Sequence, residues 1–480
     1  MLISQLINGM KDAYIEGEDI NINGLAYNTK EIKKGDLFFC IQGFKTDGHL
    51  FAEKAVELGA AALVVSKDVE VNKNITKVFV KDTREAMAVM ASNFYGNPSD
   101  KINTIGITGT SGKTTSSFMI NSILKEANKK TALLGTIYNI FDQDIEEAKR
   151  TTPESLDLQG MFKKMTDQSI NSCVMEISSH SLELKRVYGV KFKVGVFTNL
   201  TQDHLDFHKT MENYFHAKMK LFDNAEYAVI NADDEYGQRA VKTLGNKIIT
   251  YGINNKADFE AKNIRIDEKG SYFDLLYKDK VVPIEINLIG KFNIYNALCS
   301  IAACSAFGIP MDDIVNGLKK LKNVIGRSEK IISSSGFTIL IDFAHTPNEI
   351  KNILKTAREY TKNKLVIVFG CGGDRDKAKR PIMGKIAGEL SDFCVVTSDN
   401  PRSEQPEAII DDILVGVKQT NAPYVVIPDR KSAIKYAIDN AESGDVIVLA
   451  GKGHEKYQIL NDKTIPFDER EIVEEILRRE

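Results

Sequence analysis

A chain of 480 residues with 43% hydrophobic and 27% charged side chains has the composition of an ordinary globular protein. It is long enough for about three domains. With 63 basic against 66 acidic residues and a net charge of −3, it offers no broad basic face to nucleic acid or to an anionic membrane, so positive charge must act locally on bound anions. Neither nucleic-acid binding nor membrane insertion is expected. Met1-Leu2-Ile3-Ser4-Gln5 lacks the basic-then-apolar layout of a secretory signal, and there is no apolar run of the roughly 18 residues a membrane span needs. Cys40, Cys173, Cys299, Cys304, Cys371 and Cys394 form no C-x-x-C pair and show no metal-finger spacing. Buried free thiols in a reducing cytoplasm are the expectation.

Residues up to about 97 read as a small α/β unit with strands at 36–41 and 62–66, closed by Asn97-Pro98-Ser99. A β-branched run at 102–108 then enters Gly109-Thr110-Ser111-Gly112-Lys113-Thr114-Thr115, followed by a helix carrying Met119, Ile120, Ile123, Leu124 and Ala127. Strand, glycine turn, lysine, hydroxyl and helix form an arrangement that binds nucleotide phosphates: backbone N–H groups and the helix N-terminus face the phosphates, Lys113 adds charge, and Thr114 offers an oxygen to Mg²⁺. The glycine spacing departs from the usual pattern, with Ile107 where the first glycine would stand. A bare strand-to-helix turn is the competing reading, and Lys113 with two threonines argues against it.

Further along, short apolar strands at 173–177, 194–198 and 227–230 alternate with helical segments, the habit of a largely parallel, doubly wound sheet. Gly326-Arg327 precedes a second series at 338–341, 364–369, 393–397 and 446–449, whose strands end in polar, glycine-rich loops. Ligands bind beyond the carboxyl ends of such strands. Glu176, at a strand end, suits a hard cation, and His204 in Thr201-Gln202-Asp203-His204-Leu205-Asp206 is a second possible ligand. A solvated carboxylate and a structural histidine are the alternatives. By pattern alone, Lys218 is a solvated residue on a helix.

The chain resembles the Mur ligases, the ATP-dependent amide-bond enzymes of peptidoglycan assembly, over nearly its whole length. The resemblance is carried, in order, by 109–115, Thr151-Thr152-Pro153, 176–180, Asp203-His204-Leu205-Asp206, 290–296, Asp342-Phe343-Ala344-His345-Thr346-Pro347, 370–376, Asp399-Asn400-Pro401-Arg402 and Gly451-Lys452-Gly453-His454-Glu455. It implies three α/β domains: a uridine-nucleotide domain at 1–98, a central ATPase with a mostly parallel P-loop-type sheet at 99–326, and a Rossmann-like amino-acid domain at 327–480. It also implies site residues. Lys218 looks like the family's carbamylated lysine, which with Glu176, His204 and Thr114 would hold two Mg²⁺ ions. Asn293 and Asn296 resemble the pair near adenine, and Arg327 and Asp342 resemble nucleotide contacts. Thr151, Thr152, Ser178 and Arg186 match positions holding the UDP-muramyl peptide, and Thr29 and His49 fall in the uridine-end loops. Two places depart from the family pattern: Asn28-Thr29-Lys30 replaces the usual Asp-Ser-Arg, and Leu184 replaces a common glutamine.

The reaction implied is ATP-driven amide formation between UDP-MurNAc-L-Ala-D-Glu and meso-diaminopimelate through an acyl phosphate, carried out by a monomer acting on small molecules. Arg375, Asp399, Asn400, Pro401, Arg402, Gly451 and Glu455 would receive the amino acid, because family members that add diaminopimelate carry Asp-Asn-Pro-Arg whereas lysine-adding members generally lack the arginine. A lysine-adding ligase, a folylpolyglutamate synthetase and a P-loop binding module without ligase activity are the alternatives.

Overall fold

The computed structural model describes residues 1–43, 46–267, 269–461 and 463–478. The chain divides into two compact units: Met1–Thr108, Asn128–Val196 and Ala217–Ala228 form the first, and Gly109–Ala127, Phe197–His216 and Val229–Glu480 the second. Each unit gathers separated stretches of chain.

The first unit opens with a five-stranded sheet in the order Tyr14–Glu16, Thr76–Phe79, Ala62–Val65, Asp36–Phe39, Gly24–Ala26. Neighbours are parallel except at the edge strand Tyr14–Glu16. Asp36–Phe39 and Ala62–Val65 are buried at every position, because parallel strands covered on both faces must be apolar throughout. Leu37, Val64, Met87 and Met90 pack on one face, and Phe38, Cys40, Leu63 and Val65 on the other. Beyond this sheet, Asn103–Thr108, Ser172–Glu176 and Thr131–Leu134 run parallel, and Tyr138–Phe141 and Asp144–Glu147 continue antiparallel from Thr131–Leu134.

In the second unit, the helix Lys113–Glu126 follows the phosphate loop, and Lys247–Gly252 pairs in parallel with Phe259–Asp267. Gly270–Tyr277 and Lys280–Ile286 then add antiparallel strands. A six-stranded sheet lies further along, in the order Glu329–Ile332, Thr338–Asp342, Val446–Ala450, Leu365–Phe369, Phe393–Val396, Tyr424–Val426. It is parallel except at its first strand. Its central strand Val446–Ala450 is fully buried, with helices covering both faces.

The α/β class and the parallel strands that end at functional loops follow the sequence reading. The flanking antiparallel hairpins add to that reading. Lys278 and Asp279 both adopt left-handed backbone between paired Tyr277 and Lys280, which is the geometry of a tight hairpin turn. Without the Asn-Gly or Asp-Gly pair that normally marks such a turn, the connection has no sequence signature. Among the described residues, no helix is long and apolar enough to cross a membrane.

All six cysteines are free and buried. Burial pushes the thiols of Cys40, Cys299 and Cys371 up to about 12 and that of Cys394 up to about 11. Thiolate is the reactive species, so an aromatic disulfide reagent at mildly alkaline pH should titrate fewer than about one thiol per folded chain and all six after unfolding. Rapid reaction of several thiols in the native protein would contradict this packing.

Candidate active site

The phosphate loop is held open by its neighbours rather than by its own side chains. Gly109 and Gly112 have φ of +151° and +88°. A Cβ on Gly109 would lie 1.8 Å from Thr198 Oγ1, and one on Gly112 would lie 2.5 Å from Asn296 Oδ1. Both positions therefore require glycine, for backbone angle and for space. Thr198 Oγ1 donates to Ser111 O at 2.7 Å, Asn199 Oδ1 accepts from Ser111 N at 3.0 Å, and Asn199 O accepts from Thr110 N at 2.9 Å. The Lys113 ammonium reaches back over the loop to Gly109 O and Thr110 O at 2.9 and 2.8 Å, so its charge sits where the loop would cradle an anion. Thr114 and Thr115 open the helix, whose N-terminal dipole adds to that attraction.

Beside the loop lies a cavity of about 240 Å³ lined by Ser111, Gly112, Thr115, Asn231, Asp234, Tyr251, Phe292, Tyr295, Asn296, Arg327 and Asp342, among others. Its polar walls are fixed. Asn296 Nδ2 donates to Asn293 Oδ1 at 3.1 Å, Asn231 Nδ2 to Thr198 O at 2.9 Å, and Tyr295 Oη to Asp233 Oδ2 at 2.8 Å. Flat aromatic walls with a few oriented amides suit a planar heterocycle. Arg327 Nη2 donates to Thr114 Oγ1 at 3.1 Å while its guanidinium lies 4.8 Å from the centre of the Phe343 ring. Asp342 accepts from Ser328 N at 2.6 Å and Ala344 N at 2.7 Å, pinning the loop beside Arg327. Burial still leaves its carboxyl above the ordinary range, against the Arg327 charge.

Glu349 serves two purposes. It closes a capping box on Pro347–Tyr360 with Thr346, and its Oε1 accepts from Ser111 Oγ at 2.8 Å. Burial raises its pKa, but the His345 and Arg327 charges with hydrogen bonds from His345 N and Ser111 outweigh that and hold it low. Asp203 is similarly enclosed, with His204 Nε2 at 3.3 Å and His345 Nε2 and Lys379 Nζ each at 3.9 Å. Despite its burial, those three partners hold its carboxyl far below the carboxylate range.

A second cluster lies within the first unit. Glu176 is fully buried and accepts from Thr136 N and Thr136 Oγ1, each at 2.9 Å. Thr152 Oγ1 donates to Glu176 O at 2.9 Å and accepts from Ser178 N at 3.1 Å, and Thr151 Oγ1 lies 3.2 Å from Thr136 Oγ1. Arg186 donates to Thr152 O at 3.2 Å and to Glu154 at 2.9 Å, and Arg84 and Arg150 also reach Glu154, at 3.3 and 3.1 Å. Three guanidiniums share one carboxylate, which leaves a surplus of positive charge for an acidic ligand.

The third cluster stands at strand ends of the six-stranded sheet. Lys452, fully buried, donates to Asn400 Oδ1 and Glu455 Oε2, both at 2.8 Å. Asn400 Nδ2 donates to the same Glu455 oxygen at 2.9 Å. Arg402, left-handed at φ +52° and half-buried, donates to Gly373 O at 2.7 Å. Asp399 is buried, and Lys452 and Arg430 hold its carboxyl below the usual range against that burial.

Three family descriptions match the sequence: the Mur ligase family catalytic domain at 21–95, the Mur ligase middle domain at 107–304 and the Mur ligase glutamate ligase domain at 326–453. A protein of Clostridium acetobutylicum named UDP-N-acetylmuramoyl-L-alanyl-D-glutamate–2,6-diaminopimelate ligase 1 is 52% identical over 481 residues, which is 100% of this chain and 99% of the relative. The chain belongs to the Mur ligase family. A Clostridium botulinum relative named as a ligase for the same two substrates is 50% identical over the full length of both chains. A solved structure named as a UDP-N-acetylmuramoyl-L-alanyl-D-glutamate–2,6-diaminopimelate ligase, 30% identical, superposes over 95% of each chain with a TM-score of 0.67. The MurF ligase of Thermotoga maritima, solved in complex with ADP, shares the fold at 20% identity and a TM-score of 0.64, over 89% of this chain and 93% of that one.

Within this Mur ligase, Ser111, Gly112, Thr115, Asn296, Arg327 and Asp342 line one cavity, with Asn293 hydrogen-bonded to Asn296 and the rest of 109–115 adjoining in sequence, and Thr151, Thr152, Glu176, Ser178 and Arg186 form one cluster. Asp399, Asn400, Arg402, Gly451 and Glu455 gather in another, with Pro401 buried in the same loop and Arg375 exposed nearby. Lys218 overturns the reading of a solvated helix face: it is 1% exposed, and Tyr214, Phe215 and Ala217 of the same helix are buried too. His49 is buried, with Nδ1 2.6 Å from Asp47 Oδ1 and Nε2 accepting from Ser66 N at 3.0 Å, so both ring nitrogens brace its loop. Thr29 begins a short turn capped by Asn28. Sequence reasoning assigned no role to Glu349, Lys452, Tyr251, Asp203, His345 or Lys379. Glu349 had a signal in its capping-box spacing from Thr346, and Lys452 lay within a matched segment. Tyr251 had none.

Replacing Lys113 with alanine should cost at least about a hundredfold in turnover, the scale of losing one preorganised electrostatic partner, while the thermal midpoint stays within a few degrees of the parent. Near-normal turnover by the folded variant would remove Lys113 from the phosphate site.

Proposed function

We propose that this Mur ligase uses ATP to join meso-2,6-diaminopimelate to the γ-carboxylate of the D-glutamyl residue in UDP-MurNAc-L-Ala-D-Glu, a step of peptidoglycan synthesis in the cytoplasm. The observation that carries the choice of amino acid is Arg402. Burial and the neighbouring Arg375 charge lower its pKa despite Asp399 and Glu455 nearby, so its charge is under-compensated and gains from an incoming carboxylate. Diaminopimelate carries such a group at its far end; lysine carries only hydrogens there. A planar guanidinium meets a carboxylate with two parallel hydrogen bonds, and Asp399 and Glu455 stand ready for the distal ammonium.

Residues 1–98 would take the uridine end, 99–326 the ATP, and 327–480 the amino acid. Adenine would lie against Tyr251, Phe292 and Tyr295, with Asn293 and Asn296 beside it and the phosphates over Lys113. The surplus of arginine charge around Glu154, with Thr151, Thr152 and Ser178, suits the acidic muramyl peptide. The γ-phosphoryl group passes from ATP to the glutamyl carboxylate oxygen, leaving ADP. The amine then attacks the acyl carbon, phosphate departs and the amine loses a proton. Lys113 and the loop N–H groups stabilise charge on the transferring phosphoryl group. Each chain carries residues for all three substrates, consistent with a monomer.

For Mg²⁺, the second unit offers the Thr114 hydroxyl and the His204 imidazole and the first unit the Glu176 carboxylate, each a donor type that a hard divalent cation accepts. Among the described residues no three His, Cys, Asp or Glu side chains form a metal cluster, so further anionic ligands must come from elsewhere. The nucleotide phosphates supply some, and a carbamate on the buried Lys218 would supply another, turning a like charge into an attractive one. When bound, the metal neutralises charge on the phosphates. Lys218→Ala should be nearly inactive and partly restored by small carboxylates. An intact-mass measurement showing unmodified Lys218 in fully active enzyme would exclude the carbamate.

The expected preference for meso-diaminopimelate over L-lysine is at least ~100-fold in kcat/KM, from roughly 3 kcal/mol of differential binding. Arg402→Ala should raise KM for diaminopimelate steeply and narrow that gap. Comparable wild-type efficiency with L-lysine would overturn the choice of amino acid.

A further inference from the structure

Arg430 and Glu469 form an ion pair with both side chains at 0% exposure and Arg430 Nε 2.8 Å from Glu469 Oε1. Isolating two charges from water is a poor source of stability, since apolar replacements of similar volume commonly hold a fold as well or better. The pair's contacts point to another role. Arg430 Nη2 donates to Ala450 O at 2.8 Å, and Nη1 makes a longer contact to Ser398 O at 3.4 Å. Ser398 immediately precedes Asp399, and Ala450 immediately precedes Gly451. One guanidinium thus ties together the ends of two strands where the two loops of the amino-acid cluster begin.

The loops meet closely. Gly451 has φ +120°, and a Cβ there would lie 2.6 Å from Asp399 Oδ2. Glu469 comes from a third direction, as the first residue of the helix Glu469–Leu477, capped by Asp468 and anchored through Ile472, Val473 and Ile476. Asp399 Oδ2 is buried without a hydrogen-bond partner among the described residues. A buried carboxylate oxygen in that state is an acceptor awaiting a donor.

We infer that Arg430 and Glu469 are positioning residues for the amino-acid substrate: their ion pair fixes the spacing between the loop at 398–402 and the loop at 451–455, so that Asp399 and Glu455 meet the distal ammonium of a diamino acid together. Neither residue touches the substrate. The inference rests on the reading of that cluster as the amino-acid site.

The test replaces the pair with apolar residues of similar bulk, Arg430→Met with Glu469→Leu, and compares it with Glu469→Gln, which keeps an acceptor for Arg430. Thermal unfolding, kcat and the KM values for ATP, UDP-MurNAc-L-Ala-D-Glu and meso-diaminopimelate are measured for each. The double variant should unfold within a few degrees of the parent yet show a KM for diaminopimelate raised at least about tenfold, as small misplacements of a binding group do. KM for ATP should move by less than about twofold, and Glu469→Gln should lie between parent and double variant. An unchanged KM for diaminopimelate in either folded variant, or an equal rise for all three substrates, overturns the inference. A parent enzyme that does not consume meso-diaminopimelate overturns the substrate reading instead.

Discussion

The grip of Thr198 and Asn199 on the backbone of Thr110 and Ser111 is the constraint on which the proposed nucleotide site depends. A phosphate loop works only if its N–H groups already converge before the anion arrives. Here that convergence is imposed from the next strand end, by bonds of 2.7 to 3.0 Å to the loop backbone. The approach leaves no room for a side chain on Gly109, and Asn296 imposes the same condition on Gly112. The glycines are a consequence of the packing around them.

The same loop is the anchor for the later part of the chain. Ser111 Oγ is bound by Glu349 and Thr114 Oγ1 by Arg327. Residues more than two hundred positions apart in sequence are therefore registered on two adjacent turns of backbone. Glu349 cannot hold Ser111 without also starting its own helix, because the same carboxylate accepts from Thr346 N. Helix geometry and site geometry are one requirement at that residue, and its hydrogen bonds and the Arg327 charge hold its pKa low despite its burial.

Much of this was legible in the sequence. The glycine–lysine–threonine run, the carboxylate at the end of Ser172–Glu176 and the polar loops after the C-terminal strands all follow local rules that a linear pattern carries. The missed features depend on partners distant in sequence. Lys218 sits at a helical position that reads as polar, and only the packing of its neighbours reveals that it is buried. The hairpin at Lys278 and Asp279 places left-handed backbone on a lysine as well as an aspartate, with no glycine to mark the turn. Arg430 and Glu469 resemble surface charges on two helices, and the ion pair forms only because the helix Glu469–Leu477 returns against the sheet.

The most direct measurement is phosphate release by purified protein, with each of ATP, UDP-MurNAc-L-Ala-D-Glu and meso-diaminopimelate omitted in turn. The account predicts sustained release only when all three are present, with one amide product formed per phosphate. Sustained release from ATP alone, or turnover that does not require the muramyl peptide, would contradict a ligase and leave a nucleotide hydrolase or binding module in its place.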